Sequence, residues 1–330
     1  MSTLLLRPGQ CERLLDHPSL VEALGRAHTE LATGGATQPL PVPMRAAGDT
    51  RPDGPAYVPM AAYAPYLGVC AVKLLADVPS NRGLGLPAQR STLALYSAES
   101  AECLALVDGR VITRLRTAAV SALATRLLAR PGASVLGLIG AGALATEHVH
   151  AFTAVLGVTD VLVWSRSEAS ARRLDGEVDA DVRIAPSVEA VLAGADVVCT
   201  LTPAEVPLVT AGMLHPGLHV NAVGSPPRPG YSELEPGALA GAARVVVDHR
   251  PVALRESGNV REAVRRGVVA ESDLVELGDV LAGTVVGRGR PEDVTVFNSV
   301  GIGLQDLAAL ELLHRRAVAE GVGDVVDLRA

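Results

Sequence analysis

The most constraining feature of the sequence is a glycine-rich turn between an apolar segment and a helical one. The predicted strand Ser134–Ile139 is followed by a G-x-G-x-x-A run made of Gly140, Ala141, Gly142, Ala143, Leu144 and Ala145. The first glycine allows a tight turn, the second lets the backbone approach a pyrophosphate, and the alanine keeps the next helix close to the strand. The amides that open this helix favour an anion. We therefore predict that these six residues bind a dinucleotide.

Strand-like and helix-like segments continue to alternate after this turn. Strands are predicted at Val161–Trp164, Val182–Ala185, Asp196–Leu201, His219–Val223 and Arg244–Asp248, and helices at Ala143–Val155, Glu168–Leu174 and Val188–Ala193. Apolar strands separated by helices are typical of a parallel sheet covered on both faces. We predict an α/β protein with a Rossmann doubly wound sheet over residues 118–302.

The rest of the chain is expected to form a discontinuous α+β domain from residues 1–117 and 303–330. Thr92–Tyr96 and Cys103–Val107 read as a hairpin, and an amphipathic helix is predicted from Thr113. A second helical pattern, Gly301–Val318, is predicted to return to the N-terminal domain.

Composition excludes several classes of function. The net charge is −7 and aromatic residues make up 2% of the chain, which argues against a nucleic-acid surface. No 20-residue apolar helix is visible, so no membrane partner is expected. The four cysteines are scattered and the histidines have no ligand spacing, which predicts a cytoplasmic protein without a metal.

The end of the second predicted strand bears on the type of dinucleotide. An NAD site usually places an acid there to bind the ribose hydroxyls, but this chain has Ser165, Arg166 and Ser167. Because arginine and hydroxyl groups can bind a 2′-phosphate, we predict a preference for NADP(H), with NAD(H) as the alternative. Further cofactor contacts are predicted at Thr200, Leu201, Thr202, Val223, Gly224 and Asn298.

Lysine is almost absent from the sequence. Of 29 basic residues only one, Lys73, is a lysine, which suggests a position where arginine cannot serve because a compact or titratable ammonium is needed. Arg45 and Arg116 also lie near predicted loop or strand ends. Together the three cations could clamp a carboxylate.

These residues lie in segments that carry a family resemblance. PVPMR, AVKLLADVPSNRGLGLP, LVDGRVITRLRTAAVSALATRLLARPG, LIGAGALATEH, HVNAVGS and TVFNSVGIGLQDLAAL occur in the order found in the ornithine cyclodeaminase/mu-crystallin family, which the chain resembles over nearly its whole length. The resemblance implies a homodimer whose second domain binds substrate and makes the dimer contact. It also implies that Arg45, Lys73 and Arg116 hold a substrate carboxylate beside the nicotinamide, and that Thr117 approaches the cofactor phosphates.

One segment separates the chain from the cyclodeaminases of that family. Those enzymes carry an aspartate after the glycine that corresponds to Gly224, whereas this chain has Ser225-Pro226-Pro227-Arg228. A buried diamine would lack a carboxylate partner there. The sequence therefore looks closer to the ketimine reductase branch, whose members use NADPH. Arg228 is a candidate for binding a second acidic group of the substrate.

We predict reduction of a C=N bond next to a carboxylate, or amino-acid dehydrogenation in reverse. Lys73 is expected to bind the carboxylate or to protonate the imine nitrogen, because burial beside two arginines should lower its pKa. Three alternatives stay open. They are a cyclodeaminase with recycled NAD, an enzyme like N-(2-amino-2-carboxyethyl)glutamate dehydrogenase, and a non-catalytic NADPH-binding protein.

Overall fold

The computed structural model describes residues 3–49, 51, 54–225 and 230–328. Within them the strands are β1 (Thr3–Leu6), β2 (Ala56–Ala64), β3 (Val69–Asp77), β4 (Gln89–Ser97), β5 (Cys103–Asp108), β6 (Val135–Ile139), β7 (Asp160–Trp164), β8 (Asp181–Ile184), β9 (Val197–Thr200), β10 (His219–Ala222), β11 (Arg244–Val247), β12 (Leu274–Glu276), β13 (Thr295–Asn298) and β14 (Asp324–Val326). The α-helices are α1 (Pro8–Leu14), α2 (His17–Ala32), α3 (Gly109–Leu128), α4 (Ala143–Leu156), α5 (Glu168–Glu177), α6 (Val188–Gly194), α7 (Pro236–Ala240), α8 (Arg250–Glu256), α9 (Gly258–Arg265), α10 (Leu277–Leu281) and α11 (Gly303–Glu320).

The chain folds into two compact units. Unit 1 comprises residues 1–116 and 302–330, and unit 2 comprises residues 117–301. The first boundary falls inside α3, so this helix contributes Arg116 to unit 1 and Thr117 to unit 2. None of the helices in the described part of the chain is both long and apolar enough to cross a membrane.

Unit 1 contains a mixed sheet with the strand order β14-β1-β5-β4-β3-β2. Strands β2 to β5 are antiparallel, and the predicted hairpin is confirmed as β4 and β5. β2 tolerates Pro59 because it lies at the edge of the sheet. Helix α11 packs on β2, β3 and β4, so one face of this sheet is covered.

Helix α3 begins four residues before the predicted start at Thr113. Asp108 ends β5 and its Oδ1 accepts a hydrogen bond of 2.9 Å from the backbone amide of Arg110. A carboxylate that accepts from an opening amide favours a helix start. The strand therefore passes into the helix without a loop.

Unit 2 is built on a parallel sheet with the order β12-β11-β13-β10-β9-β6-β7-β8. The six predicted strands are confirmed with ends that differ by one residue at most. β12 and β13, of three and four residues, were not predicted. The strand order reverses between β6 and β9, which is where such sheets bind ligands. The predicted fold class is confirmed.

Candidate active site

Lys73 lies in the interior of unit 1. It is on β3, where buried and more exposed residues alternate, and it shares the helix-covered face with Ala71 and Leu75. Its side chain is 3% exposed. The Nζ atom donates to Thr113 Oγ1 at 2.8 Å and to the two carboxylate oxygens of Asp306 at 3.2 and 3.3 Å.

Arg116 binds the same carboxylate. It lies three residues after Thr113 on α3, and its Nε donates to Asp306 Oδ1 at 3.1 Å. Its Nη1 donates to Gln305 Oε1 at 2.8 Å. Asp306 is 1% exposed and lies in the first turn of α11, where the helix dipole favours negative charge. We call Lys73, Thr113, Arg116, Gln305 and Asp306 the cation cluster.

The charges of the cation cluster do not cancel. With every group ionised, Lys73 and Arg116 supply two positive charges and Asp306 supplies one negative charge. Buried charges are costly unless each has a partner. The cluster is therefore suited to accept one further anionic group.

Burial lowers the pKa of Lys73 below its usual range, and the positive charge of Arg116 adds to this effect. The carboxylate of Asp306 acts in the opposite direction. The predicted lowering of the Lys73 pKa is thus present, with burial as its main cause, and Arg116 is the arginine that contributes to it.

Arg45 stands apart from the cation cluster. It is exposed, and its Nη1 donates to the carbonyl of Gly54 at 3.2 Å. Its neighbour Met44 bridges to Tyr57 along the free edge of β2. The contacts found among the described residues do not join Arg45 to Lys73 or Arg116. Arg228, the fourth predicted substrate contact, lies outside the described residues.

The glycine-rich turn has the backbone that the sequence predicts. Gly140 follows β6 with φ +112°, and a side-chain carbon there would lie 2.9 Å from the carbonyl oxygen of Leu201. Gly142 precedes α4 with extended backbone, and a side-chain carbon there would meet no atom within 4 Å among the described residues. Ala145 is fully buried. The turn thus leaves open space at the start of α4.

A buried acid that the sequence did not indicate connects two loops of this region. Glu233 is fully buried and accepts from Thr202 N at 2.7 Å, Thr202 Oγ1 at 2.8 Å and Gly224 N at 2.9 Å. Burial raises its pKa above the usual range, while these hydrogen bonds oppose the rise. Nothing in the local sequence distinguishes Glu233 from Glu235, which is only half-buried, so the burial of Glu233 is visible only in the fold.

The carboxyl ends of neighbouring strands carry the other predicted cofactor residues. Thr200 ends β9, Val223 and Gly224 follow β10, and Asn298 ends β13. Asn298 is 1% exposed, and its Oδ1 accepts from Asn259 Nδ2 at 2.8 Å. Its own Nδ2 has no partner among the described residues. A buried donor without a partner at this edge fits a dinucleotide that brings its own acceptor.

The segment after β7 presents a free cation. Ser167 caps α5 by accepting from Ser170 N, and Ser165 Oγ accepts from Ser167 N at 3.3 Å. Arg166 is exposed and forms no salt bridge within the part of the chain that the structure describes. Its guanidinium is therefore available to a phosphate.

A parallel sheet with such a turn at its point of strand reversal defines a dinucleotide-binding domain. The model of the ornithine cyclodeaminase/mu-crystallin family matches residues 11–321. The chain belongs to this family, as its motifs predict.

Several relatives are similar over most of their length. Mouse ketimine reductase mu-crystallin is 35% identical over 268 residues, which cover 78% of this chain and 82% of that protein. The Thermococcus litoralis Δ1-pyrroline-2-carboxylate reductase, in complex with NADH and L-proline, is 28% identical with a TM-score of 0.91, over 98% of this chain and 100% of that one. An archaeal alanine dehydrogenase dimer with bound NAD is 29% identical with a TM-score of 0.90, over 99% and 100%. The relatives are oxidoreductases, and two are named for imine substrates.

Proposed function

We propose that this protein reduces a C=N bond next to a carboxylate, with NADPH as the hydride donor, to give an α-amino or cyclic imino acid. The observation that carries the proposal is the buried pair Lys73 and Arg116, which shares the single carboxylate of Asp306. A carboxylate-bearing imine supplies the anion that this cluster lacks. The names of the relatives support the same class of reaction.

Arg116 and Lys73 bind the substrate carboxylate in this proposal. Arg116 has a planar guanidinium suited to paired hydrogen bonds with a carboxylate. Arg45 is proposed as a third ligand, because its exposed guanidinium forms no salt bridge with a described residue. Fixing the carboxylate also fixes the adjacent imine carbon.

Lys73 supplies the proton. Burial lowers the pKa of its ammonium, which brings a proton donor closer to the working pH. The proton moves from Nζ to the imine nitrogen, while the imine carbon receives hydride. NADPH, when bound, supplies that hydride.

The cofactor is held by unit 2. We propose that the turn from Gly140 to Ala145 receives the pyrophosphate, and that Asn298 Nδ2 donates to the nicotinamide half. Thr117 approaches the phosphates in this proposal. It follows Arg116 directly on α3, so one helix carries both a substrate ligand and a cofactor ligand.

The preference for NADPH depends on Arg166. We expect Arg166→Ala to lower kcat/KM for NADPH about 10- to 100-fold, because a charge-assisted contact to the 2′-phosphate is lost. The value for NADH should change less than about twofold. Steady-state rates with both cofactors measure this, and Arg173→Ala, on the exposed side of α5, is the matched control. An equal loss with both cofactors, or a wild-type preference for NADH, contradicts the assignment.

The reaction is tested by following NADPH absorbance with cyclic imine carboxylates and with mixtures of 2-oxo acids and amines. Δ1-Pyrroline-2-carboxylate should be reduced, and 1-pyrroline, which has the ring but no carboxylate, should react at least 100-fold more slowly. Equal rates for the two rings would overturn the role of the cation cluster. Conversion of ornithine or lysine with catalytic NAD would establish the cyclodeaminase instead.

We further propose that the protein is a homodimer through unit 1. The sheet face opposite α11 exposes large apolar side chains, including Tyr57 (45% exposed), Tyr63 (42%) and Leu74 (44%). A contiguous apolar patch on a sheet is typical of an interaction surface. The similar archaeal alanine dehydrogenase is a dimer, which supports a dimeric state.

Leu74→Glu is expected to convert the dimer to a monomer, because it places a charge in the middle of this apolar face. Light scattering after size-exclusion chromatography at about 10 µM measures the mass. Val286→Glu, at an exposed position in unit 2, should leave the mass unchanged. A Leu74→Glu variant that stays dimeric would place the interface elsewhere.

A further inference from the structure

Asp306 contacts both cations of the cation cluster. Its Oδ1 accepts from Arg116 Nε at 3.1 Å, and both oxygens lie within 3.3 Å of Lys73 Nζ. It is 1% exposed, so water does not screen these interactions. A carboxylate that joins the two cations fixes the distance between them.

The helix start that carries Asp306 packs closely against β2. Helix α11 begins at Gly303, where a side-chain carbon would lie 2.8 Å from the carbonyl oxygen of Ala61 on β2. The next amide, that of Leu304, donates to Gln38 Oε1 at 2.9 Å. The first turn of α11 is thus held directly on the sheet that carries Lys73.

We propose that Asp306 is a positioning residue, which orients Lys73 for proton transfer and sets the net charge of the cation cluster to match one substrate carboxylate. This inference rests on the proposed function. With Asp306, the cluster offers one positive charge and fits a monocarboxylate imine. Without it, the two like charges of Lys73 and Arg116 would lie together in the core with only the neutral groups of Thr113 and Gln305 as partners in the cation cluster.

The effect of the Asp306 carboxylate on the Lys73 ammonium can be separated from the other influences on that ammonium. Two charged groups act on the ammonium: Asp306 favours the protonated form and Arg116 disfavours it. Thr113 contributes a neutral hydroxyl. His28 connects to the cluster through Gln305, whose Nε2 lies 3.1 Å from His28 Nε2. Removal of Asp306 therefore leaves burial and Arg116, both of which lower the pKa of Lys73.

The test is Asp306→Asn, which keeps the shape and removes the charge. Lys73 is the one lysine in the sequence, so lysine labelled with ¹³C at Cε gives one side-chain resonance and a direct titration by NMR. We expect the pKa of Lys73 to fall by about 1–3 units. The alkaline limb of kcat/KM for Δ1-pyrroline-2-carboxylate should move to lower pH by the same amount. At a pH above this limb, kcat/KM should be about tenfold lower than that of the wild type for each pH unit by which the limb has moved.

Two further variants separate positioning from stability. Gln38→Ala removes the contact to Leu304 N and disturbs the same helix start, and it should lower Tm without moving the pKa of Lys73. Asp306→Glu keeps the charge but moves it by one methylene, so kcat should fall at least tenfold while the alkaline limb stays in place. This variant also provides the test if Asp306→Asn does not fold.

The outcomes distinguish the inference from the proposed function. An unchanged Lys73 titration in folded Asp306→Asn, or full kcat in Asp306→Glu, overturns the positioning role even if imines are reduced. The NMR titration needs no substrate, so a shifted pKa of Lys73 supports the role of Asp306 even if no imine is reduced. That combination of results would contradict the proposed function and not the inference about Asp306.

Discussion

Lys73→Arg should lower kcat/KM for imine reduction by about 100- to 10,000-fold, the range typical of losing a general acid. Arginine keeps the charge but does not release a proton at working pH. It also brings a larger head group to a position that is 3% exposed and already contacts Thr113 and Asp306, where overpacking costs about 1–3 kcal/mol. NADPH absorbance measures the rate, and Tm measures the change in stability.

The control for Lys73→Arg is Arg110→Lys. Arg110 lies on α3 but is exposed and paired with Asp108, so its exchange should leave kcat/KM unchanged. If Lys73→Arg retained activity within about threefold of wild type, Lys73 would have no part in proton transfer, and the chemistry would have to depend on the arginines and the cofactor.

Gly142→Asp should weaken NADPH binding by about 100- to 1,000-fold without destabilising the fold. The extended backbone of Gly142 accepts any residue, and space is open beside it. Aspartate is also a good helix cap and adds a few tenths of a kcal/mol. A carboxylate about 4 Å from a pyrophosphate, at an effective dielectric constant of about 20, costs about 4 kcal/mol, which sets the upper limit of the loss.

Quenching of protein fluorescence or calorimetry gives the Kd for NADPH, and thermal melting gives the stability. Ser187→Asp changes the cap of α6 in the same way and should leave the Kd unaltered. Normal NADPH affinity in Gly142→Asp would show that the pyrophosphate binds elsewhere. A lower Tm would show that an aspartate side chain does not fit at this turn.

The parallel sheet could be predicted because its signals are local. Its two longest strands, β6 and β7, consist almost entirely of apolar residues, and the turn at Gly140 has the glycine spacing of a dinucleotide-binding turn. β12 was missed because a three-residue strand shows too little periodicity, whereas β13 is as long as β8 to β11 and could have been predicted from its own residues. The start of α3 was misplaced because the sequence analysis did not recognise Asp108 as the residue whose carboxylate accepts from the opening amide of Arg110.

The cation cluster could be predicted only in part, because its members come from distant parts of the chain. Lys73 was conspicuous as the single lysine, and Arg116 followed from the family motif. Asp306 is 233 residues from Lys73 along the chain, and an acid in the first turn of a helix normally suggests a solvated position. Burial of such an acid depends on the packing of α11 against β3, which no local pattern specifies.

The solitary, buried position of Lys73 has a practical consequence. Aldehydes and active esters that modify lysine have no exposed lysine side chain to attack on the folded protein. A reagent reaches Lys73 either through the proposed substrate site or when β3 and α11 separate, so with that site filled by substrate the rate of modification reports opening of the unit. The chain thus carries its own probe for local unfolding, and no substitution is needed to install it.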